Sequence, residues 1–331
     1  MATFKAFRIH SENNQHQAGI EQLDLDALPT EGVLVHTQYS SINYKDALAG
    51  TGRGKILRRS PLIGGIDSCG EVARSDDPRF KEGDQVLVTG CGLSEIYNGG
   101  YAEWLHAPPE SVIPLPPQLT SLDAMTIGTA GFTAALALHR MEQNGQTPDL
   151  GPLLITGASG GVGNLAVDLF SHQGYSVSAA TGKADQHDYL KSLGAAEVIA
   201  RSALSLGQQA LEKGVWGGAV DTVGGDTLAG ITRTLRPWGS VASIGMAAGI
   251  ELNTTVMPFI IRGASILGIS SANCPYELRK TIWQRLATDL KPQHLDRIIN
   301  RIISLNELSE AFEAMIDGKT TGRTVVKTTS A

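Results

Sequence analysis

Hydrophobic and polar positions follow different patterns in the first third and in the middle of the chain. From Phe4 to about Pro117, short runs of β-prone residues alternate with turn residues. Five prolines between positions 108 and 117 then interrupt regular structure. We therefore expect an irregular, mostly β domain in this part. Its predicted strands are Lys5–Ile9, Gly32–Ser41, Ser68–Arg74, Gln85–Thr89 and Tyr101–Ala107.

Beyond Thr120 the spacing becomes helical and then alternates between helix and strand. Asp123–Met141 has hydrophobic residues at helical spacing and no proline, which predicts a helix. From Pro152 onward, strand-like and helix-like runs alternate, as is typical of a parallel sheet covered on both faces. The predicted elements are Leu153–Thr156, Gly163–Gln173, Ser176–Ala180, His187–Leu193, Glu197–Ala200, Leu206–Lys213, Ala219–Thr222, Thr227–Leu235, Ser240–Ile244, helices Tyr276–Leu290 and Glu307–Asp317, and strand Thr324–Lys327.

Composition narrows the possible functions. The 331-residue chain has a net charge of −6, so it lacks the basic surface that a general nucleic-acid binder needs. No apolar run reaches the ~18–20 residues of a membrane span, and the amino terminus lacks the pattern of a signal peptide. Three widely spaced cysteines form neither a disulfide framework nor a zinc-binding CxxC pair. We expect a cytoplasmic protein with a small-molecule substrate and with no nucleic-acid or membrane partner.

Glycine is unusually frequent: 38 of the 331 residues are glycine, whereas its usual share of a chain is ~7%. A cluster follows the apolar run Leu153–Ile155 and precedes a predicted helix, in the pattern Ala158-x-Gly160-x-x-Gly163. In that context glycine lets backbone N–H groups approach a pyrophosphate, while the helix N-terminus supplies partial positive charge. The sequence therefore predicts a dinucleotide-binding turn; the alternative is a glycine-rich turn without a ligand.

The end of the next strand indicates which dinucleotide is bound. An NAD site would carry Asp or Glu there to hold the ribose 2′-hydroxyl. This chain instead has Thr181-Gly182-Lys183, and Arg201 lies just beyond the third strand. A carboxylate would repel a 2′-phosphate, whereas cations and a hydroxyl attract it. The residues favour NADPH over NADH; the alternative is that Lys183 and Arg201 are ordinary solvated cations.

The glycine turn also fits the pattern of short-chain dehydrogenases, Thr156-Gly157-x-x-x-Gly161-x-Gly163, and Tyr276-x-x-x-Lys280 imitates their catalytic pair. In that family the turn opens the chain, whereas here about 150 residues precede it. The serine that the family carries before the tyrosine is Gly263 here. We therefore interpret Tyr276 as a residue of a helix start.

Motifs along nearly the whole chain resemble those of the medium-chain dehydrogenase/reductase family. They are Ser41-Ile-Asn43-Tyr44-Lys-Asp46, Gly64-Gly-Ile-Asp67-x-x-Gly70-Glu-Val, Gly83-Asp84-x-Val86, Gly99-Gly-Tyr-Ala-Glu103, Gly128-Thr-Ala-Gly-Phe-Thr-Ala134, the glycine turn, Val220-Asp-Thr-Val-Gly-Gly225 and Gly322-Arg-Thr. Zinc-dependent members carry a His-Glu pair in the segment equivalent to Gly65-Ile66-Asp67, which has no histidine here. The resemblance is thus to the zinc-free, quinone-oxidoreductase-like branch, and no metal is expected.

Three segments resemble the YhdH/AcuI type of that branch, NADPH-dependent acrylyl-CoA reductases: Asn43-Tyr-Lys-Asp-Ala-Leu-Ala, Ile127-Gly-Thr-Ala-Gly-Phe-Thr-Ala and Thr254-Thr-Val-Met-Pro-Phe-Ile260. Two positions depart from the type. Tyr97-Asn98-Gly99-Gly100 stands where His-Trp-Gly-Gly is usual, and Cys91 stands where Trp is common.

The resemblance implies an α/β fold with two domains. Residues 1–124 and 273–331 would form a discontinuous, GroES-like, mostly β catalytic domain. Residues 125–272 would form a Rossmann domain, a doubly wound parallel sheet that binds NADPH. The family pairs subunits through the edge strand, here about Ile266–Ser271, so we expect a homodimer.

The implied reaction is hydride transfer to the C=C bond of a short α,β-unsaturated acyl-CoA, from acrylyl-CoA to propionyl-CoA, without zinc. The alternatives are an NADPH:quinone or enone oxidoreductase and a non-enzymatic NADPH-binding protein. In addition, the basic run Arg53-Gly-Lys55-Ile-Leu-Arg58-Arg59 is a candidate contact for the phosphates of CoA, or else a solvated face.

The resemblance also implies site residues. Tyr44 and Asn43 are the candidate catalytic residues, Tyr44 as a cofactor contact and proton donor and Asn43 as an orienting group; the alternative for Tyr44 is a strand-end residue that packs at the domain interface. The cofactor-binding candidates are Tyr44, Ser159, Gly160, Gly161, Val162, Thr181, Gly182, Lys183, Arg201, Met246, Ile260, Ser271 and Asp317, the last at a position where Asn is common. We interpret Asp67 as a turn acid and Cys91 as a buried thiol.

Overall fold

The computed structural model describes residues 3–12 and 15–329, which divide into two compact units. The first unit contains the described residues up to Thr129, Ala272–Ala287 and the described residues from Leu295 onward. The second unit contains Ala130–Ser271 and Thr288–His294.

The helices and strands follow one another in this order. Up to residue 143 they are β1 Thr3–Glu12, β2 Gln15–Asp24, β3 Val33–Ser41, α1 Tyr44–Gly50, β4 Leu62–Ile63, β5 Asp67–Ser75, β6 Gln85–Thr89, β7 Trp104–Ala107, β8 Ile113–Pro114 and α2 Ser121–Gln143. Then come β9 Leu153–Ile155, α3 Gly161–His172, β10 Val177–Thr181, α4 His187–Ser192, β11 Glu197–Ala200, β12 Trp216–Asp221, α5 Gly225–Thr234, β13 Leu235–Ser243, α6 Met257–Arg262 and β14 Ser265–Gly268. The last are α7 Tyr276–Ala287, α8 Leu295–Ile298, β15 Ile299–Ser304, α9 Leu308–Ile316 and β16 Arg323–Lys327.

The first unit is mostly β and is discontinuous in sequence. Its larger sheet has the strand order β15-β16-β3-β5-β6-β8, with β7 also paired to β3, and its smaller sheet has the order β2-β1-β4. The aromatic rings of Phe7 and Phe312 meet edge to face with centroids 5.6 Å apart, and Tyr101 lies 5.9 Å from Phe312. Helix α9 therefore packs into the core built by the first hundred residues, because burying these rings removes much apolar surface from water.

The second unit is built on a parallel sheet with the strand order β11-β10-β9-β12-β13-β14. Strand β9 lies in the middle of the sheet, with β10 and β11 on one side and β12, β13 and β14 on the other. Because the strands are parallel, the carboxyl ends of β9, β10 and β12 lie at the same edge of the sheet. Leu153, Leu154 and Ile155 of β9 are fully buried, as expected for a central strand covered on both faces. The predicted α/β class, a mostly β domain with a doubly wound parallel-sheet domain, is confirmed.

Some sequence-based expectations were wrong. Leu206–Lys213 is not helical: Gly207 has a φ of +68°, and Glu212 accepts bonds from the backbone N–H groups of Gln208 and Gln209, which ties the segment into a loop. Helices α1 and α6 and strands β2 and β15 were not anticipated. Strand β2 carries no fully buried residue and forms through its pairing with β1 along its whole length.

Residues 288–294 belong to the second unit rather than the first, because Asp168 accepts a bond from the backbone N–H of Gln293 at 2.8 Å and pairs with His294 at 2.6 Å.

Helix α2 is long and apolar enough to cross a membrane by composition, but 78% of its apolar window is buried within the protein, as in a core helix.

Candidate functional site

The glycine turn between β9 and α3 requires its glycines for steric reasons. Gly157 has a φ of +59°, and a Cβ on Gly163 would lie 2.2 Å from the carbonyl oxygen of Gly157. At Gly160, the N-cap of α3, a Cβ would meet only the same oxygen, at 3.2 Å. The turn therefore exposes backbone at the start of a twelve-residue helix whose first N–H groups have no intrahelical partner. This is a cradle for an anionic group such as a pyrophosphate.

The end of β10 is tied directly to this turn. Ala158 donates its backbone N–H to the carbonyl oxygen of Ala180 at 3.0 Å. The hydroxyls of Ser159 and Thr181, both buried, lie 3.0 Å apart, and the Lys183 backbone N–H donates to Thr181 Oγ1 at 3.1 Å. Ser159 and Thr181, which were predicted from separate motifs, are thus in contact.

Arg201 lies beside the same strand end. In the parallel register Thr181 pairs with Ala200, so Arg201 follows β11 at the level of Gly182. A Cβ on Gly182 would meet the guanidinium carbon of Arg201 at 3.3 Å, and partial burial lowers the pKa of Lys183. No carboxylate occurs within Thr181–Lys183. The Thr181 hydroxyl, the Lys183 backbone N–H and the Arg201 guanidinium therefore lie together where a dinucleotide fold binds the ribose, which fits a second anionic group there.

The end of β12 holds the surrounding loops in place. Asp221 is fully buried and accepts bonds from the Thr156 hydroxyl at 2.6 Å and from the Gly224 backbone N–H at 2.8 Å. Burial raises the pKa of Asp221, while these hydrogen bonds oppose the rise. Sequence reasoning gave Asp221 no role; its position within Val220–Gly225 was the available signal.

In the first unit, Asn43 and Tyr44 stand at the start of α1. Asn43 is the N-cap and forms a capping box with Asp46, whose Oδ2 accepts the Asn43 backbone N–H at 2.9 Å. Tyr44 is the first residue of the helix, and its side chain is 54% exposed. Tyr44 therefore begins a helix rather than ending a strand.

Asp67 is not a turn acid, contrary to our interpretation. It is the first residue of β5 and is fully buried, and it accepts bonds from Ser41 Oγ at 2.6 Å, Asn43 Nδ2 at 2.8 Å and the Thr129 backbone N–H at 3.0 Å. The buried guanidinium of Arg323 lies 3.9 Å from Asp67 Oδ2. Asp67 therefore links β3, α1, α2 and β16, and sequence reasoning missed the partner role of Arg323 although Gly322-Arg-Thr was noticed.

This cluster contains a second buried carboxyl group. Burial, together with the negative charge of Asp67, raises the pKa of Asp46 to about 7, against the lowering effect of its bonds from Asn43 and Ile66. One of two neighbouring carboxyl groups in a buried site resists ionisation because like charges repel. The same cluster and burial raise the pKa of Tyr101 well above its ordinary value.

The other predicted contacts lie in several parts of the fold. Met246 is 71% exposed in the loop after β13, and Ile260 is 77% exposed on α6. Ser271 is half-buried in the segment after β14. Asp317 follows α9 in the first unit, where Lys319 pairs with it at 2.9 Å and lowers the pKa of its carboxyl. Of the predicted set, the structure brings Ser159–Val162, Thr181–Lys183 and Arg201 together in the second unit.

Two arginines of the basic run Arg53–Arg59 lie within ion-pair distance of glutamates. Arg53 pairs with Glu313 at 2.8 Å, and Arg58 lies 4.0 Å from Glu95, which also pairs with Lys45. Lys55 and Arg59 are exposed.

Metal ligands are a separate question. Residues 3–12 and 15–329 contain no group of three or more His, Cys, Asp or Glu side chains placed to hold a metal ion.

Comparison with known proteins assigns the chain to a family. Residues 29–117 match the alcohol dehydrogenase GroES-like domain, and residues 161–288 match the zinc-binding dehydrogenase family. The chain is 45% identical to YhfP of Bacillus subtilis, which carries the name of a quinone oxidoreductase, over 98% of both chains. It is 41% identical to acrylyl-CoA reductase AcuI of Ruegeria pomeroyi, over 95% of this chain and 96% of that one.

Solved structures agree with this assignment. The YhdH oxidoreductase of Salmonella enterica in complex with NADP is 41% identical with a TM-score of 0.94, covering 98% of this chain and 99% of that one. Bacillus subtilis YhfP with NAD bound is 44% identical with a TM-score of 0.96, covering 99% and 100%. The chain therefore belongs to the medium-chain dehydrogenase/reductase family, in the group that contains YhdH, AcuI and YhfP, and is an oxidoreductase of that family.

Proposed function

We propose that this protein is an NADPH-dependent reductase of the C=C bond of short α,β-unsaturated acyl-CoA thioesters, converting acrylyl-CoA to propionyl-CoA. The observation that carries the cofactor choice is the cluster of Thr181, Lys183 and Arg201 beside the glycine turn. The relationship to acrylyl-CoA reductase AcuI supports the substrate class.

The choice between NADPH and NADH rests on this chain's own residues, because relatives with NADP and with NAD bound are both known. A carboxylate at the end of β10 would accept the ribose hydroxyls of NADH, and Thr181–Lys183 contains none. The Arg201 guanidinium against Gly182 offers a planar set of donors suited to a phosphate. Ser159–Val162 would hold the pyrophosphate by backbone N–H groups, while Met246, Ile260, Ser271 and Asp317 remain proposed cofactor contacts.

When bound, the nicotinamide supplies the hydride, and the protein supplies binding, orientation and a proton. Addition of hydride to the β-carbon of an enoyl thioester moves negative charge to the thioester oxygen, and the α-carbon then takes a proton. Tyr44, with an exposed side chain, is the proposed donor and a proposed cofactor contact. The Asn43 amide, held by Asp67, fixes the start of the helix that carries Tyr44.

The chain's relationship to YhfP supports a second candidate, the reduction of quinones or enones with the same cofactor. Such substrates would not need contacts to CoA phosphates. A third possibility is a protein that binds NADPH without turnover. The exposed cations Lys55, Arg58 and Arg59 are the proposed CoA contacts, whereas Arg53 is already paired with Glu313.

One experiment separates these functions: NADPH oxidation measured side by side with acrylyl-CoA, crotonyl-CoA and a benzoquinone. The proposal requires the highest kcat/KM with an acyl-CoA. Faster turnover of the quinone would favour the second candidate, and tight NADPH binding without turnover would favour the third. Substituting Arg58 and Arg59 by alanine should raise KM for the CoA thioester and leave KM for a small enone unchanged, with Arg53→Ala as the matched control.

We also propose that the protein is a cytoplasmic homodimer, paired through β14. This strand is at the edge of the sheet, and a large hydrophobic side chain is exposed on α6, the helix just before it in the chain, where Ile261 is 60% accessible. Unpaired strand edges and exposed apolar faces are costly in a monomer.

A further inference from the structure

Cys91 occupies a strained and well-defined position in the first unit. It follows β6 and has a φ of +53°, a conformation that non-glycine residues rarely adopt. Its backbone N–H donates to the carbonyl oxygen of Ala272 at 3.3 Å, and the Leu93 N–H donates to Gly90 at 3.0 Å. These bonds fix the backbone of the turn, and Cys91 is half-buried rather than enclosed.

The side chain that Cys91 meets is a buried arginine. Arg279 on α7 is 2% exposed, and its Nη1 contacts Cys91 Sγ. Its Nη2 donates to the carbonyl oxygen of Cys274 at 3.3 Å, and Nη1 lies 3.5 Å from that of Ser111. The Nε of Arg279 is buried without a hydrogen-bond partner, and the ion pairs among residues 3–12 and 15–329 give this guanidinium no carboxylate.

A buried cation without a counter-ion is expensive, because it loses hydration that neutral carbonyl groups only partly replace. Burial lowers the pKa of Arg279 to about 10, so the side chain is still charged at neutral pH. Among its hydrogen-bond partners in the described part of the chain, which are the Cys91 sulfur and the carbonyl oxygens of Ser111 and Cys274, the thiol is the group that can take up a negative charge. A guanidinium at a thiol favours the thiolate, which is the nucleophilic form of cysteine.

We propose that Arg279 holds Cys91 as a thiolate and that Cys91 is a modification site for soft electrophiles such as α,β-unsaturated carbonyl compounds. The thiolate sulfur forms a bond to the β-carbon of the electrophile while the C=C π bond breaks. Its electron pair moves toward the carbonyl group, and the α-carbon takes a proton from water. No oxidant is needed, and the reaction does not involve the bound cofactor.

The other two cysteines serve as internal controls. Cys69 is fully buried on β5, and burial raises its pKa to about 12. Cys274 is 6% exposed, and burial raises its pKa to about 11. Neither thiol is ionised or accessible at neutral pH, so one electrophile should discriminate sharply among the three positions.

The charged groups around the turn have partners of their own. Glu95, four residues beyond Cys91, pairs with Lys45. On α7, the Tyr276 ring lies beneath Arg79 and Lys280, and Lys280 pairs with Glu277 at 2.8 Å. Arg79 in turn pairs with Asp77. Of these charged groups, Arg279 is the one in contact with the Cys91 sulfur.

The test is the rate of modification by N-ethylmaleimide as a function of pH, with the modified residue identified by peptide mass spectrometry. We expect Cys91 to be the residue modified first, with a rate midpoint at least ~1 pH unit below the value of about 8.5 for an ordinary thiol. Cys91→Ser should abolish this rapid phase. The thiolate absorbance lost on acid titration of the native protein, and absent in Cys91→Ser, measures the ionisation directly.

Variants of Arg279 test the cause. Arg279→Gln should move the midpoint to about 8.5 or above, and Arg279→Lys should retain part of the shift because it keeps the charge. An ordinary midpoint in the native protein, or a midpoint unaffected by Arg279→Gln, would overturn the proposal. If Arg279→Gln fails to fold, the comparison of the native protein with Cys91→Ser still tests whether Cys91 is a thiolate, and Arg279→Lys tests the cause, since a midpoint identical to that of the native protein would assign the planar guanidinium no part in it.

Discussion

The side-chain amide of Asn43 donates to Asp67 Oδ2 at 2.8 Å, across 24 residues of sequence. Asn43 also begins the helix whose first residue is Tyr44. The orientation of an exposed tyrosine at the start of α1 therefore depends on a carboxylate that is buried at the start of β5. This relationship connects the stability of the first unit to the position of its candidate catalytic residue.

Replacing Asp67 by Asn should destabilise the first unit by about 3–5 kcal/mol. The change leaves the buried Arg323 guanidinium without its nearest carboxylate while preserving side-chain size. Denaturant unfolding of the two proteins measures the loss. Asp77→Asn is the matched control: it removes an exposed pair with Arg79 and should change stability little. Equal effects of the two substitutions would contradict the buried-pair account.

Asp46 should make stability depend on pH. Its folded-state pKa of about 7 lies above the unfolded value of about 3.9, so the folded state binds the proton more tightly. The stability it contributes is complete below about pH 4 and is lost as pH rises through about 7. The free energy of unfolding of the native protein should fall relative to Asp46→Asn across that range, by at most about 4 kcal/mol. A difference that does not vary with pH would count against a raised pKa.

Arg201→Ala should lower kcat/KM for NADPH about 10- to 100-fold, because a charge-assisted bond to a phosphate contributes about 1.5–3 kcal/mol. The kcat/KM for NADH should not change, since NADH has no 2′-phosphate. Steady-state kinetics with both cofactors measures the effect, and Lys213→Ala, at an exposed cation of the same unit, is the control. Equal losses with both cofactors would assign Arg201 a structural role.

Tyr44→Phe removes the proposed donor and keeps the ring. We expect kcat to fall about 100-fold or more, as is typical when a general acid is lost, while the Kd for NADPH changes little. Fluorescence titration and steady-state kinetics separate the two effects. Tyr39→Phe, on β3, is the matched control. An unchanged kcat in Tyr44→Phe would remove the donor role and leave only a cofactor contact.

Ile261→Glu should convert the proposed dimer to a monomer, because it places a charge on the exposed apolar face of α6 beside the edge strand. Light scattering at micromolar concentration measures the change. Ile302→Glu, at a 52% exposed position in the first unit, should leave the assembly unchanged. A native protein that is already monomeric would refute the dimer itself.

The sequence alone determined the features that depend on neighbouring residues. The predicted bounds of β6 and β11 agree with the structure, because a short β-prone apolar run bounded by turn residues is a local pattern. The glycine turn was recognisable because its strand, glycines and helix are consecutive in sequence. The absence of an NAD-type acid was recognisable as well, because that acid would stand at the end of the next strand along the chain. Local patterns failed where a glycine interrupted a helical run, as at Gly207, or where pairing alone forms the strand, as in β2.

Only the tertiary structure decided which distant residues are partners. Asp67 and Arg323, and Cys91 and Arg279, are far apart in sequence, and nothing near any of them indicates that it lies beside the other. Burial determines what a charged group does: in water these residues would be ordinary surface side chains, whereas inside the first unit each needs a specific partner. The physical reason is desolvation, which depends on the packing of the whole unit and leaves no periodic pattern in the chain.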